Sequence, residues 1–267
     1  MKLLWRPGIT AQKVSIVAVL FLVMYALGAL TAKKAESVGV SALLHEKSEN
    51  WGLGFGTEGK PPTRNASADE LKKYNAYFIW DTTQNTIYLT FDCGYENGNT
   101  EPILDALKKH DVKATFFVVG NFLETSPEIV KRMIAEGHTV GNHTYHHVEI
   151  TRVPDETAQE EILMTNEVIT GITGEEVSYM RPPFGVWQKN LERKLDVMPV
   201  LWTIDPLDWT TDNEDEIINK VVTQAGENDI ILLHDCYESS VNAALRIVDI
   251  LQKEGFEFVT VDELIMN

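Results

Sequence analysis

The 267-residue sequence is poor in cysteine and in basic charge, and it holds only one long apolar run. Two cysteines, Cys93 and Cys236, cannot make the framework of a disulfide-stapled miniprotein. Lysine and arginine number 23 against 40 acidic residues, giving a net charge of −17. Five of those 23 fall in the first 35 residues, which hold no acid, so the remainder sets 18 basic against 40 acidic residues, or −22. Such a surface repels phosphate backbones and excludes nucleic acid as a partner. No Gly-x-Gly-x-x-Gly supports a dinucleotide-binding open sheet, and no internal repeat supports a solenoid. What remains, at 44% hydrophobic and 24% charged residues, is the composition of an ordinary folded domain.

The apolar run is 14–32, nineteen uncharged residues preceded by Lys2, Arg6 and Lys13. It is long enough to cross a bilayer, so 1–32 reads as a signal-anchor, with a cleaved signal peptide ending near Ala26-Leu27-Gly28 as the alternative. Either way the domain behind it is expected outside the cytoplasm. Residues 33–84 read as a tether and flap, with Trp51 and Phe55 set among glycines and a sequon at Asn65-Ala66-Ser67.

From 85 to 267 the pattern becomes regular. Short β-branched and aromatic runs occur at 86–91, 114–119, 138–142, 177–180, 200–204, 229–233 and 256–260. Amphipathic stretches separate most of them. Ser126-Pro127-Glu128 has the signature of a helix start, Ile129, Val130, Met133 and Ile134 follow at helical spacing, and Gly137 closes the element. Asn213 opens another helix, with Ile217, Ile218, Val221 and Val222 inward. Strands alternating with helices imply an α/β fold, a distorted (β/α) barrel of about seven parallel strands.

In such a barrel the chemistry sits where strands end. The expected strand ends carry Asp92, His143 with His147, Arg181, Asp205 with Asp208, and His234. His143 and His147 have metal-ligand spacing if a helical turn carries both. Asp92, leaving a buried strand, suits a general base, and Arg181 suits the task of keeping a carboxylate ionised. His234 beside an acid such as Asp208 would gain a raised pKa and act as an acid. Each feature alone has a plain structural explanation; their convergence on one rim does not.

These residues lie in five ordered stretches: Thr90-Phe91-Asp92-Cys93-Gly94, His143-Thr144-Tyr145-His146-His147, Arg181-Pro182-Pro183-Phe184, Asp205-Pro206-Leu207-Asp208-Trp209 and Leu232-Leu233-His234. Together they resemble the motifs of the polysaccharide deacetylases, the NodB-homology group of carbohydrate esterase family 4, over roughly 85–262. The run Asp92-Cys93-Gly94-Tyr95-Glu96-Asn97-Gly98 is most similar to the branch that makes muramic δ-lactam in spore-forming bacteria. The resemblance implies Asp92 as base held by Arg181, His234 as acid tuned by Asp208, and His143 and His147 as ligands of a divalent metal. Zinc is the foremost candidate, with manganese, magnesium and cobalt as others. It further implies that the Phe184 N–H stabilises the oxyanion and that Trp209 and Leu232 line the acetyl pocket. Tyr95 joins them as a substrate-contacting residue.

In most of the family a second Asp follows the base and completes the metal site; here Cys93 stands there, and the δ-lactam branch also departs from Asp at this position. Cys93 is thus a thiolate ligand, a spectator, or the disulfide partner of Cys236. The implied reaction is deacetylation of N-acetylmuramic acid in peptide-stripped peptidoglycan strands, with Arg181 or another cation offsetting the mismatch between an anionic glycan and an acidic domain. Deacetylation of N-acetylglucosamine and a degraded wall-binding module are the competing readings.

Overall fold

The computed structural model describes residues 85–187, 191 and 195–263, together with the backbone of two short strands, Leu53–Gly54 (β1) and Thr63–Arg64 (β2), which pair antiparallel. The expected anchor at 1–32 and nearly all of the tether and flap at 33–84, Trp51, Phe55 and the sequon included, lie outside the described residues. Among the described residues no helix is long and apolar enough to cross a membrane.

Thr86–Cys93 (β3) is the organising strand. All eight of its residues are buried, as a strand covered on both faces must be. Beside it run Thr115–Val118 (β4), Thr139–Asn142 (β5), Tyr179–Met180 (β6) and Met198–Pro199 (β7) on one side, and Asp229–His234 (β8) on the other. Glu257–Val259 (β9) pairs with the start of β3, leaving the end of β3 to β4. Every strand pairing in this sheet is parallel. The fifth strand differs from the sequence reading of 200–204. Only Met198–Pro199 forms a ladder, while the continuing chain crosses over so that Ile204 bridges Ile231 of β8. One segment therefore touches both edges of the sheet, since the Val200 N–H donates to Met180 O and the Ile204 N–H to Ile230 O. The sheet is curled into the expected distorted barrel.

The helices Thr100–Lys109 (α1), Gly120–Thr125 (α2), Pro127–Ala135 (α3), Asp155–Thr173 (α4), Glu214–Val222 (α5) and Glu238–Lys253 (α6) intervene between strands. Asn213 caps α5 as expected, its side chain accepting from the Glu216 N–H. Ser126 precedes α3 without a side-chain cap bond.

Alternation along the strands sorts the side chains into two cores. Ile87, Leu89, Phe91 and Cys93 of β3, with Phe116, Val118, Ile231 and Leu233, pack outward against helix residues such as Ile103, Leu107, Val130 and Ile247. Tyr88, Phe117, Tyr179, Trp202, Ile230 and Leu232 fill the interior. Gly141 makes room there, because a Cβ at that position would lie 2.6 Å from the Phe117 ring.

Candidate active site

The parity that fills the interior also delivers the chemistry. Asp92 follows Tyr88 and Thr90 on the inner face of β3, His143 extends β5, Arg181 continues β6 from Tyr179, and His234 follows Ile230 and Leu232 on β8. Cys93, one residue from Asp92, belongs to the opposite face.

Arg181 is completely buried. Its Nη1 donates to Asp92 Oδ1 at 2.9 Å, and its Nε and Nη2 donate to the Val200 and Leu201 carbonyls at 3.2 and 3.3 Å. The guanidinium lies 4.3 Å from the centre of the Phe117 ring. Its hydrogen bonds are thus spent within the fold, so Arg181 is not the cation expected to meet an anionic substrate. Burial alone would raise the Asp92 carboxyl, but His143, Arg181 and His234 outweigh it and hold that carboxyl below its usual range. His143 is uncharged at neutral pH, so Arg181 and His234 carry this effect there.

His143 donates through Nδ1 to the Arg181 carbonyl at 2.7 Å, which fixes its tautomer. Its Nε2 then presents a lone pair 3.4 Å from Asp92 Oδ2. Burial above all, with His147 and Arg181 adding to it, lowers the His143 pKa to about 4. Burial likewise lowers that of His147. The His143 and His147 rings stand 4.8 Å apart, centre to centre. The helical turn expected to carry them is absent: 143–147 is a loop with left-handed backbone at Thr144 (φ 61°) and His147 (φ 55°). Asn142 Oδ1 takes the Thr144 N–H at 2.7 Å, and Glu161 of α4 takes both the backbone N–H and Nδ1–H of His146 at 2.8 and 2.7 Å. His146 is therefore a fastening of the loop.

On the far side, Asp208 accepts from His234 twice, at the backbone N–H and at Nδ1, both at 2.8 Å. Burial opposes charge on His234, but the Asp208 hydrogen bond and the negative charges of Asp208, Asp92 and Asp205 raise its pKa to about 9. Leu207, left-handed at φ 56°, turns the chain so that Asp208 points inward, and Asp205 Oδ1 holds the turn through the Leu207 N–H at 2.8 Å.

Asp92, His143, His147, Phe184, Trp209, Leu232 and His234 share one open cavity of about 430 Å³. Trp202, Asp205, Leu207 and Tyr237 complete its lining. Sequence reasoning put Asp205 on the rim without a role and missed Trp202 and Tyr237. An Asp-Pro-Leu-Asp turn marks Asp205 as a rim residue, but no signal separates a rim tyrosine from any other. Phe184 is 58% and Trp209 54% exposed at the mouth, and the Phe184 ring stands 5.2 Å edge-on from His147. Tyr95 is exposed on the loop after β3 and is not among the residues lining the cavity.

Cys93 does not join the histidines. Its thiol is buried in the outer core, with Phe91 O at 3.9 Å and Asp235 beside it, and burial pushes its pKa well up. Cys93 and Cys236 are both free thiols, so the disulfide reading falls. Among the described residues no group of three or more His, Cys, Asp and Glu side chains has the geometry of a metal site. The pair formed by His143 Nε2 and Asp92 Oδ2 nevertheless suits a cation, because two lone-pair atoms 3.4 Å apart need positive charge between them.

A carboxylate held by a buried arginine and a histidine held by a buried carboxylate thus face one cavity on a curled parallel barrel. Residues 80–200 match the polysaccharide deacetylase family. The peptidoglycan-N-acetylmuramic acid deacetylase PdaA of Bacillus subtilis is 36% identical over 226 residues, covering 82% of this chain and 86% of that protein. The solved structure of B. subtilis PdaA, a family 4 carbohydrate esterase, superposes with a TM-score of 0.73 over 82% of this chain and 98% of that one, at 35% identity. The peptidoglycan-N-acetylglucosamine deacetylase PgdA of Listeria monocytogenes is 36% identical over 182 residues, covering 68% of this chain and 39% of that longer protein. The chain belongs to the polysaccharide deacetylase family. It is a hydrolase of the carbohydrate esterase 4 type, a group whose members are generally metal-dependent.

Proposed function

We propose that this chain removes the N-acetyl group from N-acetylmuramic acid in peptidoglycan strands already stripped of peptide, acting outside the cytoplasm. The observation that carries the reading is the buried Asp92–Arg181 pair facing the Asp208–His234 pair across one cavity. Asp92, kept ionised by Arg181, takes a proton from the attacking water. The Phe184 N–H faces the oxyanion that forms at the acetyl carbon. His234, charged through Asp208, gives its Nε2 proton to the departing nitrogen, releasing acetate and a free amine. Leu232 and Trp209 enclose the acetyl methyl. His143 and His147 hold a divalent metal, zinc foremost, which when bound polarises the acetyl carbonyl and makes water a better nucleophile. Cys93, on the other face of β3, is a spectator. The freed amine and the lactyl carboxylate of the same sugar could then close to a δ-lactam, as in spore cortex.

The muramic assignment draws on the match to PdaA over 86% of that protein. A glucosamine assignment draws on the 36% identity to the L. monocytogenes enzyme, confined to 68% of this chain. Acetate release from peptide-free and peptide-bearing glycan, measured in parallel, separates them. The muramic reading expects acetate from the peptide-free strand alone, and equal release from both favours glucosamine.

A further inference from the structure

Behind the rim, on the outer side of β3 and β8, a buried carboxyl stands without a cation beside its oxygens. Asp235 directly follows His234 and is completely buried. Its Oδ2 lies 2.8 Å from Thr100 Oγ1, at the start of α1, and the Cys93 thiol stands beside the carboxyl as a weak second donor. Thr100 Oγ1 also meets Glu96 Oε2, and Glu96 Oε1 accepts the Gly98 N–H. One hydroxyl has one proton to give, so two carboxyl groups converging on it share a second proton between them. Burial places that proton on Asp235, whose pKa it raises to about 7.

What the cluster does is fasten a loop. Residues 94–99 are tied to the β8–α6 turn by Thr100 and also by Asn97, whose Nδ2 donates to Cys236 O at 2.6 Å. That loop carries Tyr95, and the turn carries Tyr237, which lines the cavity with its ring 6.4 Å edge-on from His234. We propose that Glu96, Thr100 and Asp235, with the Asn97–Cys236 tie, form a latch that sets Tyr95 and Tyr237 as the wall against which the sugar next to the acetylated one packs. Thr100 and Asp235 are then positioning residues for the polymer, and the inference rests on the deacetylase reading above. Two tyrosines offer apolar ring faces with polar edges, the surface a pyranose presents in return.

The test compares acetate release from peptide-free glycan with hydrolysis of a small acetyl ester, p-nitrophenyl acetate, which has no neighbouring sugar. Thr100→Val removes the shared hydroxyl at constant shape and is expected to raise KM on the glycan about tenfold, with kcat and ester hydrolysis within about twofold of the unsubstituted chain. Asn97→Ala, at an exposed loop residue that leaves the core intact, is expected to raise the same KM. Asp235→Asn brings its own N–H donors, needs no shared proton, and is expected to hold glycan KM within about threefold. Unchanged glycan KM in both Thr100→Val and Asn97→Ala overturns the latch. Equal losses of kcat on glycan and ester also overturn it, since the cluster would then act through His234. If the unsubstituted chain cleaves the ester but no glycan, the deacetylase reading itself fails, and the latch with it.

Discussion

At the scale of single residues, the site depends on where its protons sit. His234 has its pKa raised to about 9, so its charged form survives above the ordinary imidazole value of 6.5. An acid that must be protonated gives activity that is present below about pH 9 and lost above it. Asp208→Asn removes the negative charge and is expected to draw that alkaline limb down toward neutral pH, with kcat at pH 8 falling at least about tenfold. An unmoved limb in a pH–rate profile would take the acid role from His234. Arg181 teaches the complementary point. In sequence it stands before a proline-rich turn and could equally be a surface ion pair, yet it is sealed in the barrel with donors on Asp92, Val200 and Leu201. Its residue type was legible; its burial was not, because that depends on a crossover segment distant in sequence.

At the scale of elements, periodicity carried the reading far. Alternation placed Asp92 and His234 at strand ends, and the same parity, applied one residue further, sends Cys93 to the other face. The failure came at 143–147, where an i, i+4 histidine pair looked helical. Thr144 and His147 take left-handed backbone, in a loop held by Asn142 just before the motif and by Glu161 from α4, and nothing local announces the second clamp. The crossing of 200–204 to β8 escaped for a similar reason, since a bridge such as Ile204 to Ile231 is a tertiary pairing. Glu161→Ala should therefore loosen the loop that presents both histidines. Zinc affinity measured by titration is expected to fall about 10- to 100-fold while the far-UV spectrum is retained. Unchanged affinity would show that the loop keeps its shape without Glu161.

At the scale of the whole molecule, charge and substrate are poorly matched. The chain beyond residue 35 carries −22, and with Arg181 committed to Asp92 the cavity lining, among the described residues, offers His234 as its only cationic side chain. Peptide-free muramic strands carry lactyl carboxylates, so long-range repulsion should oppose their approach. Raising ionic strength from about 0.01 to 0.15 M shortens the screening length from about 30 to 8 Å, and KM for that glycan is expected to fall as it does. A KM that rises with salt would point to a cationic surface that attracts the strand. The central claim, that the Asp92 rim cleaves an N-acetyl group, is tested most directly by acetate release from peptide-free glycan by the unsubstituted chain and by Asp92→Asn. Asparagine keeps an oxygen for Arg181 but cannot take a proton from water. The account predicts release by the former and a loss of about 10²- to 10⁴-fold in a folded Asp92→Asn protein. Equal release by both, or none from the unsubstituted chain with zinc, manganese or magnesium supplied, would contradict it.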